Sequence, residues 1–121
     1  MIIAGAFVIV LVVVLFIYQS KNTSSESPSG TPNTTTLFFS ESCPHCRNVE
    51  VFIAENKIAE KVTFDKKDAW DAKNSDTFLA VITACNIPKD QAGIPLVWDN
   101  GKCYMGEPDV VSFFKQKAGI Q

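Results

Sequence analysis

Four cysteines and a single histidine are the residues of this 121-residue chain best suited to covalent chemistry. Two of them, Cys43 and Cys46, are spaced Cys-x-x-Cys with Pro44 and His45 between. Ahead of the pair, Leu37, Phe38 and Phe39 form a short apolar run that reads as a buried strand; behind it, Val49, Phe52 and Ile53 fall on one face at helical spacing. The cysteines therefore sit at a strand-to-helix junction. Ser42 is suited to cap that helix, and Pro44 to its first turn, where a missing N–H costs nothing. Free N–H groups and the helix dipole stabilise an anion there, so Cys43 is expected to ionise more readily than an ordinary cysteine and to act as a nucleophile. Cys46, one turn on, is placed to attack a mixed disulfide at Cys43 and release the partner. His45, when protonated, would favour the thiolate further.

Other readings of these residues compete. A zinc site needs a second close ligand pair, and Cys85 and Cys103 are far apart in sequence. A purely structural disulfide between Cys43 and Cys46 would close a tiny loop and constrain the unfolded chain little. His45 also reads as a solvated turn residue. Cys85 and Cys103 read first as inert core residues, with a disulfide between them as the sharper alternative, suited to an oxidising compartment.

Elements that position the pair follow from periodicity and punctuation. The first strand leads into a helix from about Cys46 to Ala59, then a short strand at Val62-Thr63-Phe64. Phe78, Val81, Ile82 and Cys85 share one stripe of a helix over Ser75 to Cys85, ended near Asn86 and by Pro88. Leu96-Val97-Trp98 and Cys103-Tyr104-Met105 flank Asn100-Gly101, a two-residue hairpin signal that sets Trp98 opposite Cys103. A last helix opens at Glu107-Pro108-Asp109 and buries Val110, Phe113 and Phe114 before Gly119. The order β-α-β-α-β-β-α makes an α/β domain, a mixed sheet with helices on its faces.

Composition bounds the rest. Eleven basic against 13 acidic residues give no sign of a nucleic-acid partner. Ile2 to Tyr18 is an uncharged, almost unbroken apolar run near the length needed to cross a bilayer, so residues 1–18 read as a transmembrane anchor. A buried core helix and a cleaved signal peptide are the rivals. No basic n-region and no Ala-x-Ala-like site accompany the run. Residues 19–35, rich in Ser, Thr, Asn, Pro and Gly, read as a flexible tether, and 36–121 as the folded domain.

The strand, the Cys-Pro-His-Cys at a helix start, and Gly93-Ile94-Pro95 leading into an Asn-Gly hairpin followed by Gly106 together resemble the thioredoxin superfamily. The resemblance spans nearly all of residues 36–121, and its compact order is closest to glutaredoxins. It implies a cis Pro95 against Cys43 and an Ile94 backbone free to pair with a bound peptide; Ile94 and Pro95 thus become substrate-binding candidates. The Pro44-His45 dipeptide is similar to that of periplasmic disulfide oxidases, which implies that it tunes the pair. Gly106-Glu107-Pro108-Asp109 departs from the Gly-Gly and Asp that glutaredoxins typically use for glutathione, and Glu107 would oppose the glutathione carboxylates. No cofactor beyond a Cys43–Cys46 redox disulfide and no metal are therefore expected. The resemblance implies a thiol-disulfide oxidoreductase, and the apolar run and Ser/Thr-rich tether ahead of it make it a membrane-anchored one. It would act on cysteine-containing exported proteins from the extracytoplasmic side and be recycled by a redox partner. A cytosol-facing glutaredoxin-like reductase and a non-catalytic binding module of the same fold are the alternatives.

Overall fold

Alternation along two short strands decides where the core lies. In strand β1 (Thr36–Phe39), Leu37 points to one face of the sheet and Phe38 to the other. β3 (Leu96–Asp99) runs antiparallel to it, with Leu37 opposite Val97 and Phe38 opposite Leu96. Leu37 and Val97 therefore share one face, Phe38, Leu96 and Trp98 the other, and all five are buried. A sheet apolar on both faces needs a layer on each.

In the computed structural model, which describes residues 8–15 and 30–121, helices supply both layers. Helix α1 (Pro44–Glu55), the short α2 (Ile58–Lys61) and α4 (Glu107–Ala118) pack Val49, Ile58, Val110, Phe113 and Phe114 on the Leu37 face. α3 (Ser75–Ala84), entered through a 3-10 turn at Ala72–Asn74, packs Val81 and Ile82 on the Phe38 face. β2 (Asp65–Asp68) pairs parallel with β1, and β4 (Lys102–Met105) antiparallel with β3, giving the sheet order β2-β1-β3-β4. This mixed sheet with flanking helices fits a thioredoxin-like fold. Trp98 pairs with Cys103 across the Asn100-Gly101 turn, whose two residues have φ of 47° and 83°, the mirror-image turn geometry that Asn-Gly tolerates. Gly119, at φ 68°, closes α4 with paired bonds from Gly119 N–H to Gln116 and from Ile120 N–H to Lys115.

Four expectations are corrected. The first long helix breaks after Glu55, because Asn56 closes it and Lys57 turns left-handed at φ 51° before α2 begins. The second strand is Asp65-Lys66-Lys67-Asp68 rather than Val62-Thr63-Phe64: Val62 closes α2 and is buried under the helices, and the pairing falls on the charged run beyond it. That strand is an edge, where charged side chains guard against stray pairing, and Lys66 lies 4.5 Å from the Phe39 ring centroid. The cap of α1 is Cys43, not Ser42. Cys85 and Cys103 are joined by a disulfide of 2.00 Å.

The end of the Ser/Thr-rich stretch is fastened to the domain. Trp98 is 2% exposed and its indole N–H needs an acceptor; the carbonyl of Pro32 provides one at 2.8 Å. Thr34 and Thr35 donate to the carboxylates of Asp65 and Asp99 at 3.0 and 2.5 Å. Residues 8–15 are helical and apolar. The rest of the expected membrane span and residues 19–29 of the tether lie outside the described residues. Among the described residues, no helix is long and apolar enough to cross a membrane.

Candidate active site

β1 ends at Phe39, and a tight turn, closed by Cys43 N–H to the Ser40 carbonyl at 3.2 Å, delivers Cys43 to the start of α1. With φ −90° and ψ 115°, Cys43 has the extended backbone of an N-cap residue, and its sulfur does what a serine oxygen does elsewhere. Cys46 N–H donates to Cys43 Sγ at 3.2 Å. Pro44, with no N–H to satisfy, occupies the first helical position. Cys43 is half-buried and Cys46 is buried, 1% exposed, and both are free thiols.

The second wall comes from the start of β3. The Ile94–Pro95 peptide is cis, and the Ile94 carbonyl lies 3.8 Å from Cys43 Sγ. Pro95 O accepts from Gly106 N–H at 2.8 Å, which ties this segment to the start of α4. There Glu107 reaches back to α1. Its Oε2 accepts from Asn48 at 3.0 Å and lies 2.9 Å from His45 Nδ1. His45, Ile94, Pro95, Gly106, Glu107 and Pro108 line a shallow groove of about 460 Å³ beside Cys43. Cys43, Pro44, His45, Cys46, Ile94 and Pro95 thus meet at one end of the sheet.

Glu107 was missed as a partner in this site. Its charge is visible in the sequence, but its contact depends on the starts of α1 and α4 packing side by side, which no local pattern encodes. The bonds from His45 and then Asn48 hold the Glu107 carboxyl below the usual carboxylate range. His45→Ala should let that carboxyl titrate nearer the ordinary 4.5 in NMR pH titrations; an unmoved carboxyl would mean the pair is not formed in solution.

Burial pushes the Cys46 thiol up to about 12; its hydrogen bond with Cys43 and the charges of Cys43 and Glu50 add to that, against a backbone bond at Ser40. The sign of the linked stability follows. An unfolded thiol titrates near 9.0, so above that pH the unfolded chain releases a proton that the folded chain keeps until about 12. This contribution to the stability of the dithiol form is complete below pH 9 and is lost as pH rises from 9 toward 12. Urea midpoints of the dithiol form should therefore fall against those of the Cys43–Cys46 disulfide form between neutral pH and about pH 10.5. Parallel midpoints would contradict the burial of Cys46.

Cys85 and Cys103 stand apart from this site. Cys103 pairs with Trp98, which pairs with Thr36 at the start of β1, whereas Cys43 follows the end of β1. The four residues of β1 separate the two regions, on the order of 13 Å at a strand's ~3.3 Å per residue. Bonded to each other, the two sulfurs also cannot complete a zinc site with Cys43 and Cys46. Among the described residues, no group of three or more His, Cys, Asp or Glu is placed to hold a metal ion.

In comparisons with known proteins, no family model and no curated protein matches the chain. Among solved structures it is similar to oxidised glutaredoxin 2 from Chlamydomonas reinhardtii, with 18% identity, a TM-score of 0.46, and coverage of 73% of this chain and 84% of that one.

Proposed function

We propose that the chain is a thiol-disulfide oxidoreductase in which Cys43 exchanges disulfides with protein substrates and Cys46 resolves the product. The observation that carries this reading is the Cys46 N–H aimed at Cys43 Sγ from the first turn of a helix, beside the Ile94 carbonyl. A half-buried sulfur facing an N–H dipole is arranged to hold negative charge while open to a partner.

In the reductive direction, the Cys43 thiolate attacks one sulfur of a substrate disulfide. The Cys43–substrate S–S bond forms, the substrate S–S bond breaks, and the second substrate sulfur leaves as a thiolate that takes up a proton. Cys43 then carries no charge and no thiol hydrogen bond to Cys46, so two of the causes that hold Cys46 protonated disappear. Once Cys46 loses its proton, it attacks Cys43 Sγ, forms the Cys43–Cys46 disulfide and expels the remaining substrate thiol. Two electrons pass from the pair to the substrate, and a redox partner returns them. The same steps in reverse oxidise a dithiol substrate. Ile94 and Pro95 hold the substrate backbone in this scheme, and Pro44 and His45 tune the pair.

Exported proteins are the proposed substrates. The Cys85–Cys103 disulfide supports an oxidising compartment, and the apolar run of residues 1–18 supports an anchor that holds the domain at the outer face of a membrane. Insulin reduction with dithiothreitol, together with refolding of a scrambled disulfide substrate, tests the activity. Turnover no faster than without the protein would leave only a binding module. Cysteine-accessibility labelling in intact cells separates the exported reading from a cytosol-facing reductase.

A further inference from the structure

We infer that Trp70 is a substrate anchor: an indole carried on a hydrogen-bonded turn at the reactive end of the sheet that grips an apolar side chain of an extended polypeptide whose cysteine is exchanging with Cys43. The inference rests on the thiol-disulfide reading above. Trp70 is 67% exposed, whereas the other tryptophan, Trp98, is 2% exposed. A single exposed apolar side chain is ordinary on a small domain, so exposure alone decides nothing; what singles out Trp70 is its residue type, the one most enriched at the energetic centres of interfaces, and its place in the fold.

The turn that carries Trp70 is fixed. Its own N–H donates to Asp68 Oδ1 at 2.9 Å, and Asn74 Nδ2 donates to the Asp68 carbonyl at 2.9 Å. Asp71 N–H bonds the same carbonyl at 3.3 Å. Tryptophan on such a turn loses little conformational freedom on binding, which is why it recurs as an energetic centre of interfaces.

Strand register places the turn beside the nucleophile. β1 and β2 are parallel, Phe39 pairs with Asp68, and Ala69 N–H bonds the Phe39 carbonyl at 2.8 Å. Ala69 therefore lies beside Ser40, where the turn that delivers Cys43 begins, roughly one ~4.8 Å strand spacing away, and Trp70 is the next residue. On the other side of that turn, Ile94 and Pro95 open β3. A polypeptide seated on Ile94 and Pro95 with its sulfur at Cys43 has Trp70 ahead of it. The ring's reach beyond one spacing corresponds to about two to four residues of extended chain at ~3.3 Å each. The occupant is thus a peptide with an apolar residue about three positions from its reacting cysteine.

The test uses the full-length chain and its Trp70→Ser variant. Substrates are disulfide-linked dimers of a short peptide with leucine three residues to either side of the cysteine, the same peptide with serine there, and bis(2-hydroxyethyl) disulfide. The variant should lose about tenfold in kcat/KM on the leucine peptide and stay within about twofold on the other two. Equal rates on all three, or an equal loss on all three, would overturn the inference. If the parent chain exchanges with none of them, the proposed function fails on its own, and fluorescence still decides Trp70. Adding the leucine peptide should shift the exposed indole's emission to shorter wavelength, with Trp98 as a constant background, and no shift would overturn the anchor.

Discussion

Replacing Cys43 with serine should abolish disulfide exchange, by on the order of a thousandfold or more in turnover, while leaving the fold intact. The two effects separate because Cys43 has two duties. Its sulfur is the proposed nucleophile and also the acceptor that caps α1 through Cys46 N–H at 3.2 Å. Serine is among the best N-cap residues, so Cys43→Ser keeps the acceptor, the extended backbone and the tight turn from Ser40. A hydroxyl at that position does not form a stable bond to a substrate sulfur. Insulin reduction alongside thermal unfolding reads both duties. Lost turnover with an unchanged Tm is the expected pair of results, and retained turnover would remove Cys43 from the chemistry.

Removing the other disulfide should have the opposite profile. A Cys85→Ala, Cys103→Ala chain is expected to lose about 3 kcal/mol of stability, and roughly 10–20 °C in Tm for a domain of this size, with exchange at Cys43 retained. The cross-link spans 18 residues and joins the C-terminal end of α3 to β4. It thereby ties the helix covering the Phe38 face to an edge strand of the sheet it covers. In the unfolded chain the same link removes loop-closure freedom, which is the larger part of its expected contribution. Because the bond lies at the opposite end of β1 from Cys43, its loss leaves the reactive end unchanged. Thermal unfolding with Cys43 and Cys46 intact checks this. A shift of only a degree or two would mean that the link constrains nothing the fold does not already hold.

Much of the site was legible because its signals are local. Cys-Pro-His-Cys after a buried apolar triplet is a strand, a turn and a helix start in sequence, and the stripes Phe78-Val81-Ile82 and Val110-Phe113-Phe114 are core faces whatever surrounds them. Asn100-Gly101 fixed a hairpin register through backbone conformation alone. What was not legible depends on tertiary partners. Asp65-Lys66-Lys67-Asp68 has no strand pattern and becomes a strand because β1 offers it hydrogen bonds. Lys57 turns left-handed where periodicity runs on through Asn56. Pro32 is ordered by an indole N–H 66 residues away. Glu107, read only as a charge adverse to glutathione, meets His45 and Asn48 because two helix starts are packed together.

The account turns on Cys43 as the sulfur that substrates join. Mass spectrometry of the full-length Cys46→Ser chain, after exposure to a peptide disulfide and digestion, tests it most directly. One peptide per chain, disulfide-bonded to Cys43 with Cys85–Cys103 intact, is the predicted result. No adduct, or an adduct carried by Cys85 or Cys103, would contradict it.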